Sequence, residues 1–201
     1  MKLIGIVGTN ADHSTNRTLL HFIKTYYQQQ MTLEICEIKD LPAFTEPEER
    51  QAPLAIQVLS EKINAADGVI IATPEYDHSI PAALKSMMEW LSYTTRPLID
   101  KPVMIVGASY GALGSSRAQA HLRQILDAPE IKARIMPSAE FLLGHSLQAF
   151  DEKGQLLDEE KKNELTACIT EFEQFVEITK QLVTNQSTRI QQQKKFSWEK
   201  L

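Results

Sequence analysis

Five short apolar runs of strand length alternate with longer helical patterns, and this alternation limits the possible folds more than any other feature of the chain. Buried strands that are separated by helices form a parallel sheet that is covered on both faces. The sequence therefore predicts an α/β protein with five parallel strands. The predicted strands are residues 2–7, 33–38, 68–72, 103–108 and 133–136, and the predicted helices are residues 16–29, 52–66, 80–93, 115–127 and 158–183.

A sheet of this kind has a preferred place for a ligand. Five parallel strands with helices between them fit the flavodoxin-like, doubly wound arrangement, in which ligands bind beyond the carboxyl ends of the strands. Three polar loops follow predicted strands at residues 8–17, 73–81 and 108–117. Helix capping explains one such loop, but three of them at strand ends outline one binding site.

Composition narrows the class of protein. The chain has 201 residues, 43% of them hydrophobic, which is enough for one large core. A net charge of −5 argues against a nucleic-acid partner. No apolar stretch approaches the roughly 20 residues that span a bilayer, and the N-terminal apolar run is too short for a signal sequence. We therefore expect a cytoplasmic protein that binds neither nucleic acid nor a membrane.

The chain divides into a domain and a tail. We assign residues 1–183 to one domain and residues 184–201, which are largely polar, to a C-terminal tail. Such a tail is typically disordered, but late aromatic residues such as Phe196 and Trp198 also suit docking on a neighbouring subunit. Both interpretations of the tail remain open at this stage.

Two further features have ordinary structural interpretations. Cys36 and Cys168 are far apart in apolar contexts and form no Cys-x-x-Cys motif, so we expect two packed thiols and no metal site. Residues 39–53 contain three prolines and the acidic segment 46–49. This long loop fits a lid or an interface element, and it fits a solvated loop at least as well.

The first polar loop has the composition of a phosphate site. Residues 8–17 connect a buried strand to a helix, and a helix N-terminus favours an anion through its free N–H groups and its dipole. The loop contains neither the dinucleotide-binding glycine motif nor a P-loop. The competing interpretation is that Ser14 or Asn16 simply caps the helix.

The other two loops suit a flat ligand. Pro74 stiffens the second loop, Ser79 is the expected N-cap of the next helix, and Pro81 suits its first turn. Tyr76 would then face a heterocycle, or else it is a surface side chain of an ordinary connection. In the third loop, two glycines permit a close approach of the backbone to a ligand.

Three motifs carry a resemblance to a known family. The motifs are Thr9…Ser14-x-Asn16, Pro74-Glu75-Tyr76-Asp77-x-Ser79-Ile80-Pro81 and Gly107-Ala108-Ser109-x-Gly111-x-x-Gly114-x-x-Arg117-Ala118-Gln119. Over roughly residues 2–180, the chain resembles the NADPH-dependent FMN reductase family, which includes flavin, quinone, azo-dye and chromate reductases of flavodoxin-like fold.

The resemblance implies FMN as bound cofactor and NADPH or NADH as hydride donor. The flavin carries the chemistry, so no side chain is assigned as catalytic, and we interpret His78 and His145 as surface or capping residues. The implied contacts are Thr9, Ser14, Asn16 and Arg17 around the phosphate, Pro74, Glu75, Tyr76 and Asp77 along the isoalloxazine ring, and Ser109, Tyr110, Gly111 and Gly114 on its other side.

The chain departs from the family pattern at three places. Ala11, followed by Asp12 and His13, stands where many relatives have an arginine, so one cation for the phosphate is missing. Asp77 replaces the usual asparagine and would place a negative charge beside the flavin. The paired glycines of the family are Gly114-Ser115 here, which is a smaller change.

The resulting functional hypothesis is an NAD(P)H oxidoreductase that uses FMN and a ping-pong cycle to reduce a small acceptor such as a flavin, quinone or azo compound. The alternative is a flavodoxin-type electron carrier or redox sensor without catalytic activity. The segment Arg117-Ala118-Gln119 favours the enzyme. The apolar stretch around Leu84–Leu91 also predicts a homodimer or homotetramer, because its bulk exceeds what one sheet face needs.

Overall fold

Strands and helices alternate along the chain as the sequence predicts. The computed structural model describes residues 1–138 and 140–183. The elements are β1 Lys2–Val7, α1 Thr15–Tyr26, β2 Thr32–Glu37, α2 Leu54–Ala65, β3 Gly68–Ala72, α3 Ala82–Trp90, a π-helical segment Leu91–Thr95, β4 Pro102–Ala108, α4 Ser116–Leu126, β5 Arg134–Ile135, β6 Phe141–Leu143, a 3₁₀ turn Ser146–Gln148 and α5 Glu159–Val183.

The sheet is parallel and has the strand order β2-β1-β3-β4-β5, which is the flavodoxin-like order. This confirms the predicted fold class. The fifth position of the sheet is filled by two short strands, because β5 pairs with the start of β4 and β6 pairs with its end. Strand β6 was not predicted, since three apolar residues are too few to establish a period-two pattern.

Helices cover both faces of the sheet and bury alternate strand residues. In β1, Ile4 and Ile6 face one core cluster, whereas Leu3 and Val7 face the other. The first cluster includes the buried faces of α2, α3 and α4, and the second includes those of α1 and α5. Such two-sided burial leaves the strand ends as the place where polar loops converge.

The loop of residues 39–53 is tied to α3 and to the π-helical segment that follows it. Nε1 of Trp90 donates to the carbonyl of Pro42 at 2.8 Å, and the backbone N–H of Phe44 donates to Oγ of Ser86 at 2.8 Å. The Phe44 ring meets the rings of Trp90 and Tyr93 edge-on. The loop is therefore anchored through its apolar and backbone groups, although many of its charged residues are exposed.

The apolar stretch that predicted an oligomer is part of the first core cluster. The side chains concerned are all buried within the single chain, where they pack on the sheet. This stretch consequently gives no argument for a subunit interface, and the predicted homodimer or homotetramer stays a prediction. The residues are Leu84, Met87, Met88, Trp90 and Leu91.

Both cysteines pack as small apolar residues, as predicted. Cys36 lies in the first core cluster and Cys168 in the second, and both are free thiols. Burial raises the pKa of each thiol. Within residues 1–138 and 140–183, no helix has the length and apolar character needed to cross a membrane. The predicted tail of residues 184–201 lies outside the described residues.

Candidate functional site

The three polar loops meet at the carboxyl ends of β1, β3 and β4 and enclose a cleft of about 510 Å³. This volume lies within the range of small-molecule and cofactor sites. The cleft is lined by His13, Ser14, Thr15, Asn16, Pro74, Glu75, Tyr76, Ala108, Ser109, Tyr110, Gly111, Ala112, Leu113 and Arg117.

One end of the cleft is the N-terminus of α1. Ser14 is the N-cap of this 12-residue helix, and its hydroxyl accepts a hydrogen bond from the backbone N–H of Arg17. A hydroxyl that accepts one bond still has its own O–H to donate. Ser14 is thus a helix cap and also a cleft residue that can donate to an anion, so the two interpretations of this loop are compatible.

Arg17 makes its contacts away from the cleft. Nε and Nη2 bond to the carboxylate of Glu37 at 2.6 and 2.9 Å, and the remaining guanidinium contacts are with the carbonyls of Ala11 and Asp12. The bond to Glu37 raises the pKa of Arg17. Arg17 is not among the residues that line the cleft. Its contacts fix the fold of the first loop.

Asn16 joins the first loop to the third. Its side-chain amide donates to the carbonyl of Ala108 at 2.8 Å, and its side-chain oxygen accepts from the N–H of Ala108 at 2.9 Å. Asn16 is buried at the cleft floor. Both functional ends of its side chain are therefore engaged in holding the start of α1 against the end of β4.

The second loop forms a tight turn beside the cleft. The backbones of Tyr76 and Ser79 exchange two hydrogen bonds of 2.9 Å, and the two residues between them, Asp77 and His78, both have positive φ angles. Positive φ at both central positions is typical of a type I′ turn. Asp77 and His78 are exposed and do not line the cleft, whereas the hydroxyl of Tyr76 lies 3.3 Å from that of Thr9.

Glu75 connects this turn to α4. Its carboxylate accepts from the backbone N–H of Arg117 at 3.1 Å, and Oε1 lies 2.8 Å from Nε of the same residue. Ser115, the residue at the N-cap position, makes no side-chain capping bond. Glu75 therefore stabilises the N-terminus of α4 from another loop. The Glu75 side chain is 11% exposed and that of Arg117 is 45% exposed, so the guanidinium reaches the mouth of the cleft.

The third loop is supported by β6 and the 3₁₀ turn. The backbone N–H of Ser109 donates to the carbonyl of Leu143, and that of Ser146 donates to the carbonyl of Ser109. Gly114 has a φ of 57°, and a Cβ at this residue would lie 2.6 Å from the backbone of Leu142. A Cβ at Gly111 would meet open space, which leaves this backbone accessible to a ligand.

The structure brings eight of the twelve predicted site residues into the cleft and leaves four beside it. Arg117 belonged to a quoted motif but had no assigned role, and the other additional residues are neighbours of predicted ones. The lining residues among those predicted are Ser14, Asn16, Pro74, Glu75, Tyr76, Ser109, Tyr110 and Gly111. Those beside the cleft are Thr9, Arg17, Asp77 and Gly114, and the additional lining residues are His13, Thr15, Ala108, Ala112, Leu113 and Arg117.

The donor set of the cleft fits a phosphorylated, flat heterocycle. A helix N-terminus with the hydroxyls of Ser14 and Thr15 lies on one side, and backbone and aromatic groups of the other two loops lie opposite. Gly111 and Pro74 line the cleft with uncharged surface, against which a flat ring can pack. Neither His78 nor His145 lines the cleft. These residues fit FMN.

Comparisons with known proteins agree with the flavin cofactor that fits the cleft. The family model for NADPH-dependent FMN reductase matches residues 1–148. A subunit of NADH:(hydroxy)cinnamate reductase from Vibrio ruber, CrdA, is 58% identical over 199 residues, which cover 99% of this chain and 98% of that protein. NADH-dependent flavin reductase subunit 2 of Lactobacillus johnsonii is 46% identical over 88% of this chain and 98% of that protein.

More distant proteins share the fold. Quinone reductase from Escherichia coli K12 is 37% identical over 71% of this chain and 77% of that protein. Among solved structures, the flavoenzyme NAD(P)H:(acceptor) oxidoreductase FerB of Paracoccus denitrificans superposes with a TM-score of 0.76 at 24% identity, over 89% of this chain and 98% of that chain. At that identity, the superposition supports the fold alone.

Proposed function

The chain belongs to the NADPH-dependent FMN reductase family, and from this premise we propose that it passes a hydride from a nicotinamide nucleotide, through FMN, to a small acceptor. The observation that carries the proposal is the convergence of three loops on one cleft that has the N-terminus of α1 at one end and backbone and aromatic groups along its walls. Bound flavin supplies the redox chemistry. The protein supplies position and electrostatics.

Each loop has a separate part in this function. The N-terminus of α1 and the hydroxyl of Ser14 would hold the phosphate. Backbone groups from Pro74 to Tyr76 would border one edge of the ring, and those from Ser109 to Gly111 the other. No side chain needs to act as an acid or base. The contacts of Asn16 and Glu75 keep the three loops at a fixed spacing.

We propose that donor and acceptor use the cleft in turn, which gives ping-pong kinetics. Two relatives are described as NADH-dependent enzymes, which supports NADH as the donor for this chain. The acceptor class remains that inferred from the sequence: a flavin, a quinone or an azo compound. An acceptor of this kind is flat and fits a cleft whose mouth carries Tyr110 and Leu113, both largely exposed.

Anaerobic mixing tests the proposal. FMN-loaded protein is mixed with NADH, and separately with NADPH, while the visible flavin band is followed. We expect rapid bleaching by the nucleotide alone, and recovery of the band when a quinone is added after the nucleotide has been removed. No bleaching by either nucleotide would contradict the enzyme and support an electron carrier. Initial rates that give intersecting instead of parallel double-reciprocal lines would contradict the ping-pong order.

We also propose that the protein works as a homodimer or homotetramer. The description of two relatives as subunits supports an assembly, but it does not identify the chains in it. Light scattering at micromolar concentration tests this. A mass equal to 22.7 kDa would contradict the proposal.

A further inference from the structure

The phosphate end of the cleft has several cations nearby, and most of them are already paired. Arg17 is bonded to Glu37, Lys39 is bonded to Asp12, and Arg117 at the far side is paired with Glu75. Arg17 and Lys39 also do not line the cleft. The side chain that resemblance to the family would place on the phosphate, Arg17, is therefore turned toward strand β2.

His13 is the remaining basic side chain at this end of the cleft. It lies directly before the N-cap Ser14, it is exposed, and it lines the cleft. Within residues 1–138 and 140–183, its imidazole makes no hydrogen bond or ion pair with the protein. A ligand phosphate held by the N-terminus of α1 would therefore be next to an imidazole that makes no such bond and whose charge interacts with that of Asp12.

We propose that protonated His13 is the cationic contact for the FMN phosphate in this chain. This inference rests on the proposed function. It predicts that the contribution of His13 to FMN affinity falls as the pH rises, because imidazole changes its charge between about pH 5 and 8. An arginine in this loop would keep its charge over the same range.

Other charged groups around His13 would not give FMN binding the same dependence on pH. Asp12 is adjacent, and its pKa is lowered, first by the bond from Lys39 and then by the charges of His13 and Arg17, so Asp12 stays ionised across the range. Glu37 faces the loop from β2, where it is bonded to Arg17. Glu75 and Arg117 face it across the cleft and are paired with each other.

The ionisation of the phosphate itself acts in the opposite direction. A phosphate monoester loses its second proton near pH 6, and the dianion binds a helix N-terminus better than the monoanion. Without His13, the affinity for FMN should stay level or increase with pH. The informative quantity is therefore the ratio of two FMN dissociation constants, that of the His13→Gln variant divided by that of the wild type, at each pH.

The experiment titrates FMN and riboflavin into apoprotein by quenching of flavin fluorescence, at constant ionic strength, from about pH 6 to pH 8.5. The variants are His13→Gln, which removes the charge, and His13→Arg, which fixes it. His21→Gln is the matched control, because His21 is exposed on α1 and does not line the cleft. Circular dichroism checks the fold of each variant.

We expect His13→Gln to bind FMN about threefold to fivefold more weakly than wild type near pH 6, as for an exposed charge pair, and about equally near pH 8.5. His13→Arg should bind FMN more tightly than His13→Gln throughout this pH range, because arginine stays charged. Riboflavin should bind all four proteins alike. A ratio that is the same at both pH values, or an equal change for riboflavin, would overturn the role of His13.

The two proposals can fail separately. If wild-type protein binds FMN more tightly than riboflavin and is bleached by a nicotinamide nucleotide, but the His13 ratio does not change with pH, only the role of His13 is wrong. If wild-type protein binds no FMN at any pH, the proposed function is wrong and the role of His13 is wrong with it.

Discussion

Oγ of Ser79 lies 2.6 Å from Nδ1 of His121 on α4. One helical turn earlier, Arg117 on the same helix pairs with Glu75. The two contacts join both ends of the tight turn after β3 to one face of α4. This turn borders the cleft, so α4 fixes the position of one cleft wall.

The pair of Glu75 and Arg117 should stabilise the protein more than an ordinary surface ion pair. We expect a coupling energy of about 1–2 kcal/mol, because the carboxylate is nearly buried and its attraction to the guanidinium is less screened than in an exposed pair. A double-mutant cycle with Glu75→Gln and Arg117→Gln, measured by urea denaturation, gives this value. The control cycle uses Lys85 and Glu89, an exposed pair on α3, and should give less than about 0.5 kcal/mol. Equal coupling in both cycles would contradict the special role of Glu75.

Asn16 should contribute to the fold rather than to cofactor specificity. Asn16→Ala leaves the N–H and the carbonyl of Ala108 without their buried partners, and we expect the free energy of unfolding to fall by about 3 kcal/mol. Asn10→Ala, an exposed change in the same loop, should alter it by less than about 0.5 kcal/mol. Urea denaturation of the apoprotein makes the measurement. A small loss that affects only FMN binding would contradict this assignment.

Ser14 should affect both stability and the choice of flavin. Ser14→Ala removes the cap of α1, which costs about 1 kcal/mol. It also removes a donor to the phosphate, so FMN should bind about tenfold more weakly while riboflavin binding is unchanged. Asp158→Ala is the matched control, because Asp158 caps α5 and does not line the cleft. It should lower stability similarly without changing the ratio of FMN to riboflavin affinity.

The sequence predicted the fold and the location of the site better than it predicted the contacts. Short apolar runs located β1, β3 and β4, whose ends carry the three loops. Long-range partners could not be deduced in the same way. Ser79 was expected to cap α3, but Pro81 is at that N-cap position and the hydroxyl of Ser79 faces His121 instead. Arg17 was expected at the phosphate, but it pairs with Glu37, which lies 20 residues later at the end of the neighbouring strand. Such pairings depend on which strands are adjacent, and local pattern does not encode this.

The anchor between Trp90 and Pro42 should determine how accessible the loop of residues 39–53 is. Trp90→Phe keeps one aromatic ring, but it removes the bond from Nε1 and leaves a cavity where the larger indole was buried. We therefore expect faster cleavage within the loop and a loss of about 2 kcal/mol or more in stability. Limited proteolysis with mass spectrometry locates the cleavage sites. Tyr26→Phe, an exposed change on α1, is the control. Unchanged cleavage would mean that the contacts of Phe44 suffice to hold the loop.

Asp77 should matter for the turn and not for the flavin potential. It has a φ of 50°, it is exposed, and it does not line the cleft. Asparagine is preferred to most residues at such a position of a type I′ turn. Asp77→Asn should therefore leave the midpoint potential of bound FMN unchanged and increase the free energy of unfolding by up to about 0.5 kcal/mol.

Asp77→Val should destabilise the protein by about 1–2 kcal/mol, because a β-branched residue is strained at positive φ. Asp40→Asn, an exposed change after β2, should alter neither quantity. Potentiometry and urea denaturation of the same preparations make the comparison. If Asp77→Asn raises the potential and strengthens the binding of reduced FMN more than that of oxidised FMN, the carboxylate acts on the ring and its role is electrostatic.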